Sequence, residues 1–319
     1  MTGNIFLFIG GVGVLYFGAE WLVRGSSRLA ASLGVSPIVV GLTVVSMGTS
    51  APELVISVVS SLSGNHDLAV GNVMGSNLAN VGLVLGISAI LRPLHVSTKI
   101  VAREVAVMIF ITLALLPIIW DSHIARYEGF LLVTMLAFYL TYVFRTSKTN
   151  GTVVPHESGD DATPEAGGLS SWTVGRDLGF IFLGVLGLVL GAFVIRESAL
   201  ALAEAMGISE LVVGLTLVSI GTSLPELATC AVAALRHQAD IAVGNILGSN
   251  IFNITFVLGT TSLISPLRFH PDVLRLEYLA VMVITVMMVP IVRHRLVIRR
   301  REGVALLSIY LILLAFVLG

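Results

Sequence analysis

The stretch GLTVVSMGTSAPELVISVVSSLSGNHDLAVGNVMGSNLANVGLVLG, Gly41 to Gly86, returns as GLTLVSIGTSLPELATCAVAALRHQADIAVGNILGSNIFNITFVLG, Gly214 to Gly259, at a constant offset and without a gap. About 25 of the 46 aligned pairs are identical, far more than shared apolar composition would give, so the chain contains a duplicated unit. The identities fall on polar and helix-breaking residues. They are Gly48-Thr49-Ser50 with Gly221-Thr222-Ser223, Pro52-Glu53 with Pro225-Glu226, Gly71-Asn72 with Gly244-Asn245, Gly75-Ser76-Asn77 with Gly248-Ser249-Asn250, and Asn80 with Asn253. An ionisable side chain inside hydrocarbon costs about 3 kcal/mol even on lenient insertion scales, so two glutamates at matching depth mark a functional site.

That argument requires a membrane, and the composition supplies one. Hydrophobic residues make up 56% and charged residues 12% of the chain, and the mean hydropathy is +0.98, outside the range of a soluble domain. The net charge of -1 gives no sign of a nucleic-acid partner. The single cysteine, Cys230, excludes an intrachain disulfide and leaves the redox compartment open. The first apolar run, Ile5 to Val23, lacks a basic n-region and is too long for a signal-peptide core, which predicts a retained transmembrane helix.

A spanning helix needs roughly 20 apolar residues. On that ruler the sequence predicts ten spans in an all-α membrane protein: Asn4–Ser32, Ser36–Leu62, Asp67–Leu91, Ile100–Trp120, Ala125–Phe144, Arg176–Met206, Ser209–Leu235, Asp240–Ile264, Leu274–Val292 and Gly303–Leu318. Between the fifth and sixth, Thr146 to Ser171 is polar and reads as a flexible linker, giving a first five-helix half at 1–145, a cytoplasmic linker at 146–175 and a second half at 176–319. With the amino terminus outside, the inner loops collect Arg24, Arg28, Arg92, Lys99, Arg103, Arg145, Lys148, Arg176, Arg236 and the cluster Arg293, Arg295, Arg299, Arg300 and Arg301. Only Arg126, Arg196, Arg268 and Arg275 remain outside, so both termini are expected outside a plasma or inner membrane. Five spans per half is an odd number, which turns the second copy upside down. Inverted repeats are the architecture of alternating-access transporters.

Within the second span Gly41, Gly48 and Pro52 interrupt the helix, and proline withholds one N–H, so carbonyls near Ser46 and Thr49 are expected to be freed. Beside that break lie Thr49, Ser50 and Glu53, with Thr49 and Glu53 on one face at i, i+4. Ser76 and Asn80 share the same spacing on the third span, and the copy contributes Thr222, Ser223, Glu226, Ser249 and Asn253. Hard cations take oxygen ligands, and calcium takes six to eight, carboxylates among them. Two carboxylates balance one calcium, two protons, or sodium ions helped by the surrounding hydroxyl and amide oxygens, and competition for one site is what coupled exchange requires.

The motifs GTSAPE with GNVMGSNLAN, and GTSLPE with GNILGSNIFN, resemble the two alpha-repeats of the calcium/cation antiporter superfamily, specifically its sodium/calcium exchangers of prokaryotic type. The resemblance covers most of the chain. It implies antiport of calcium against sodium at a central site, with no enzyme activity, no cofactor, and a monomer as the working unit. Glu53 and Glu226 would bind calcium with Thr49 and Thr222 as backbone ligands. Ser50, Ser223, Ser76, Ser249 and the carbonyls of Ser46 and Ser219 would serve flanking sodium sites, while the first helix of each half would slide across the core to switch access. Some prokaryotic relatives carry aspartate where Asn253 stands, and the linker is too short for the calcium-sensing domains of the animal exchangers.

Blander readings attach to many of these residues. Gly11, Gly13, Gly184 and Gly187 are expected to serve helix packing. Ser and Thr in membrane helices often bond back to their own backbone. Asn72, Asn77, Asn245 and Asn250 are expected to cap helices at the breaks. His66, His123 and His237 lie in loops without metal-ligand spacing. Competing functions are a calcium/proton or potassium-dependent antiporter on the same glutamates, and a cation channel, which would want carboxylate rings along a pore. A membrane enzyme would need HExxH, an activated nucleophile or a phosphate-cradling loop, and the sequence has none.

Overall fold

A computed structural model describes residues 2–95, 98–149, 171–205, 221–271, 274–294 and 297–318. The long elements are helical: α1 (Thr2–Leu33), α2 (Pro37–Thr49), α3 (Ala51–Leu62), α4 (His66–Leu91), α5 (Thr98–Ile119), α6 (Arg126–Thr149), α7 (Ser171–Ala205), α8 (Leu224–Leu235), α9 (Ala239–Ile264), α10 (Leu279–His294) and α11 (Arg300–Leu318). This is what a bilayer demands, because a helix satisfies its backbone polar groups internally. Among the described residues six helices are long and apolar enough to span, or seven when α2 and α3 count as one bent span. Two further apolar helices, Leu224–Leu235 and Leu276–Ile291, are shorter.

The helices that carry the GNxxGSN segment of each repeat, α4 and α9, form the centre. The apolar window of α9 is 94% buried and that of α4 78%, against 33% for α1 and α7, whose outer faces carry exposed Phe6, Phe17, Phe182 and Phe193 as a lipid-facing surface would. Helices α1 and α7 pack along each other at backbone contact distance. A Cβ on Gly184 would sit 2.6 Å from the Leu22 nitrogen, and Gly187 faces Gly18. Gly11 lies against Ile195, but a Cβ on Gly13 would meet nothing within 4 Å, so Gly13, expected at a packing contact, is not part of one.

The break in the second span falls where proline predicts it. Helices α2 and α3 meet at 41° across Ser50, and Pro52 occupies the first turn of α3, where its missing N–H leaves the helix start unharmed. The expectation of a freed Ser46 carbonyl is corrected: it accepts the Ser50 N–H at 3.0 Å and the Thr49 hydroxyl at 3.4 Å. Proline 52 removes the donor for the residue four earlier, which is Gly48, so Ser46 keeps its partner. Among the described residues four π-helical stretches occur that the sequence did not announce: three begin at Gly41, Asn80 and Asn253, each a residue of the repeated motif, and the fourth is Leu274–Tyr278. Such wide turns are frequent at functional sites. At Gly41 and Gly244 the first and second copies touch, with Cα of one only 3.1 Å from the Cβ position of the other, so only glycine fits there.

The halves are also joined by two short antiparallel pairings. Strand β1 (Leu94–His95) pairs with β4 (Val297–Ile298), and β2 (His123–Ile124) pairs with β3 (Leu267–Arg268), so each pair takes one strand from each half. Leu94 faces Ile298, and Leu267, its counterpart in the copy, faces Ile124.

Candidate functional site

Ten of the twelve residues singled out as ion ligands gather at the crossing of the bent α2–α3 helix, α4, α8 and α9. Thr49, Ser50, Glu53, Ser76, Asn80, Thr222, Ser223, Glu226, Ser249 and Asn253 are all buried. Ser46 is buried beside them, its hydroxyl returned to the Leu42 carbonyl at 2.8 Å, and Ser219 lies outside the described residues.

Both carboxylates are held by hydroxyls from around the crossing. Ser76 Oγ donates to Glu53 Oε1 and also contacts Thr222 Oγ1, each at 3.4 Å, which carries the first glutamate to the second copy. Ser50, one turn before Glu53, donates to Glu226 Oε1 at 3.4 Å, which carries the second glutamate to the first copy. Thr49 Oγ1 bridges to Ser249 Oγ at 3.4 Å and donates to Asn245 Oδ1 at 3.0 Å. Contacts of 3.4 Å are long for hydroxyl donors, so these bonds hold the carboxylates weakly.

What the glutamates lack is as informative. Each has zero exposure, neither has a basic partner among the described residues, and Oε2 of each has no hydrogen-bond partner among them. Both side-chain atoms of Asn80, Ser223 Oγ and Asn253 Oδ1 are likewise buried without partners. Buried polar atoms are almost always satisfied in native proteins, so these unpaired atoms call for a partner that the described residues do not supply. Groups of three or more His, Cys, Asp and Glu are absent among the described residues, so the donor set is carboxylate, hydroxyl and amide oxygen, which suits hard cations rather than zinc.

The helix-cap expectation for the asparagines is corrected. Asn72 Nδ2 donates to the Glu53 carbonyl at 3.2 Å and to Ser57 Oγ at 3.0 Å. Asn245 Nδ2 donates to Cys230 Sγ at 3.4 Å while its oxygen accepts from Thr49. Asn77 reaches the Asn250 carbonyl, and only Asn250 bonds to its own helix, at Ile246. These amides tie helices together because they lie inside α4 and α9, where the backbone is already paired and there is no helix start to cap. They are the residues sequence reasoning missed, although their place in both copies was visible. The hydroxyls divide as well: Thr43, Thr112 and Thr255 bond back four residues, whereas Ser50 and Ser76 do not.

The profile described as sodium/calcium exchanger protein matches this chain over residues 3–145 and 177–319. The chain belongs to that family. Within the exchanger family it is 30% identical over 342 residues to sodium/calcium exchanger MaX1 of Methanosarcina acetivorans, covering 97% of both chains. It is 34% identical over 282 residues to inner membrane protein YrbG of Escherichia coli K12, covering 88% of this chain and 86% of YrbG. The fold superimposes with a TM-score of 0.84, at 29% identity and over 98% of each chain, on the sodium-calcium exchanger NCX_Mj soaked with zero sodium and calcium.

Proposed function

We propose that this protein is a secondary antiporter that exchanges calcium for sodium by alternating access at a site built on Glu53 and Glu226. The observation that carries the reading is the pair of fully buried carboxylates, each lacking a basic partner among the described residues and each tied through a hydroxyl to the opposite copy. Two negative charges in a low-dielectric site call for compensation, and one calcium supplies it. In this reading the Oε2 atoms, with Thr49 and Thr222, take the divalent ion. Ser50, Ser76, Ser223, Ser249, Asn80 and Asn253 supply neutral oxygens for sodium when calcium leaves. The Ser46 carbonyl joins only when the Thr49 hydroxyl turns away from it, and Ser219 is assigned by its repeat position alone.

The same proposal takes the chain as ten spans in two inverted halves, 1–145 and 176–319, with 146–175 between them and both termini outside the cell membrane. Its support is reciprocity: the strand pairings, the Gly41 and Gly244 contact, the Ser50–Glu226 bond and the Ser76–Thr222 contact each pair a residue of one half with a residue of the other. The pair α1 and α7, lipid-facing and joined closely to each other, has the form of a unit that moves as one body over the core. The test is calcium flux in proteoliposomes with sodium, potassium and proton gradients imposed separately. Uptake driven by sodium alone is the expected result. Uptake driven only by protons would make the protein a calcium/proton antiporter instead.

A further inference from the structure

Asn253 begins a π-helical turn, is fully buried, and lies one turn beyond Ser249 on the face that meets Thr49. An asparagine there has two faces of opposite character. Its oxygen can ligate a cation and its amide nitrogen repels one, so its usefulness depends on which way the group is turned.

The turn is fixed by a chain of contacts that ends on a backbone carbonyl. The Asn250 carbonyl can only accept, so the Asn77 atom at 3.3 Å from it is Nδ2. The other Asn77 atom is therefore Oδ1, and the Asn253 atom that meets it at 3.0 Å is Nδ2. Asn253 Oδ1 is left over, buried and without a partner among the described residues. Among the described residues the first copy has no such device. Asn250, the counterpart of Asn77, is bonded to Ile246 in its own helix, and both side-chain atoms of Asn80 are unpartnered.

We infer that Asn77 is a positioning residue of the ion site, which holds the Asn253 amide with its oxygen toward the cation and its nitrogen away. This rests on the ion-site reading given above and deepens it. It also explains how a neutral amide serves at this position: an aspartate presents oxygen whichever way it turns, whereas an asparagine needs an orienting partner.

The test is equilibrium binding of radioactive calcium to the purified protein, read as the half-saturating concentration. Asn77→Ala is expected to raise that concentration about fivefold, the equivalent of one net hydrogen bond of about 1 kcal/mol. Asn253→Ala added to it is expected to cost no more, because the oxygen is already misdirected. In an Asn253→Asp background Asn77→Ala is expected to make no difference, an outcome that loss of packing would not produce. Wild-type affinity in Asn77→Ala, or effects of the two alanines that multiply, overturns the inference. Should Asn77→Ala fail to reach the membrane, Asn77→Ser, too short to bridge both partners, takes its place with the same expectations. Glu53→Gln is the reference: if it too binds calcium normally, the ion-site reading falls with this one, and if it alone loses binding, only the role of Asn77 falls.

Discussion

Replacing Glu53 by glutamine isolates charge from shape. Ser76 donates to Oε1, and Oε2 has no partner, so the amide nitrogen can take the Oε2 position while the bond from Ser76 survives on the remaining oxygen. The fold is therefore expected to tolerate the change. Calcium lies about 2.4 Å from a ligating oxygen, and at an effective dielectric constant of about 20 each carboxylate attracts it by more than about 10 kcal/mol. Removing one buried charge also removes its desolvation cost, which offsets much of that. A residual of about 4 kcal/mol, typical of removing one member of a buried charge pair, is about a thousandfold in affinity. Sodium-driven calcium uptake into proteoliposomes should fall to background in Glu53→Gln and equally in Glu226→Gln. Uptake within a few fold of wild type in either variant, with normal amounts of folded protein, would refute the argument that both charges face the ion.

Asn253→Asp adds an ionisable group to the cage, so calcium transport in that variant should vary with pH, approaching wild-type behaviour as acid makes the carboxyl neutral; a pH profile parallel to wild type would count against the placement of Asn253. Gly244→Ala sets a Cβ 2.6 Å from the Ile38 carbonyl and 3.1 Å from Gly41 Cα, backbone atoms that cannot turn aside, and should cost about 1–3 kcal/mol, seen as a lowered unfolding temperature in detergent. Arg236 contacts buried Glu20 at 2.6 Å and joins α1 to the end of α8; because its side chain is 49% exposed and screened by water, Arg236→Gln should cost only about 1 kcal/mol. An unchanged unfolding temperature would show that the pair contributes nothing to holding α1 on the core.

How far the sequence could be read depends on the kind of physics involved. The duplication, the bend at Pro52 and the burial of Glu53 and Glu226 were legible because each follows from local chemistry: an absent N–H, a costly charge, a polar identity kept inside apolar runs. The π turns at Asn80 and Asn253 were not, since a one-residue widening of a helix leaves no mark on apolar periodicity. The asparagines were misread as caps because a cap is judged from neighbours in sequence, while the partners of Asn72 and Asn77 come from other helices. Glu20 gave no local sign that its counter-ions would include Arg236, more than 200 residues away, since nothing in α1 says which helix end will lie beside it. Likewise Glu104, fully buried, is neutralised by adjacent Arg103 and bonded by Tyr139 at 2.8 Å, a cluster that spacing alone did not suggest.

The two small strand pairings set an order on biosynthesis. Leu94 and His95 leave the ribosome about two hundred residues before Val297 and Ile298, so the first strand must wait with an open edge until that later stretch has been made. Completion of either half is thus a property of both. A polypeptide cut between residues 149 and 171 should still assemble when its two fragments are produced together, whereas either fragment alone would be left with unmated edges and marked for degradation.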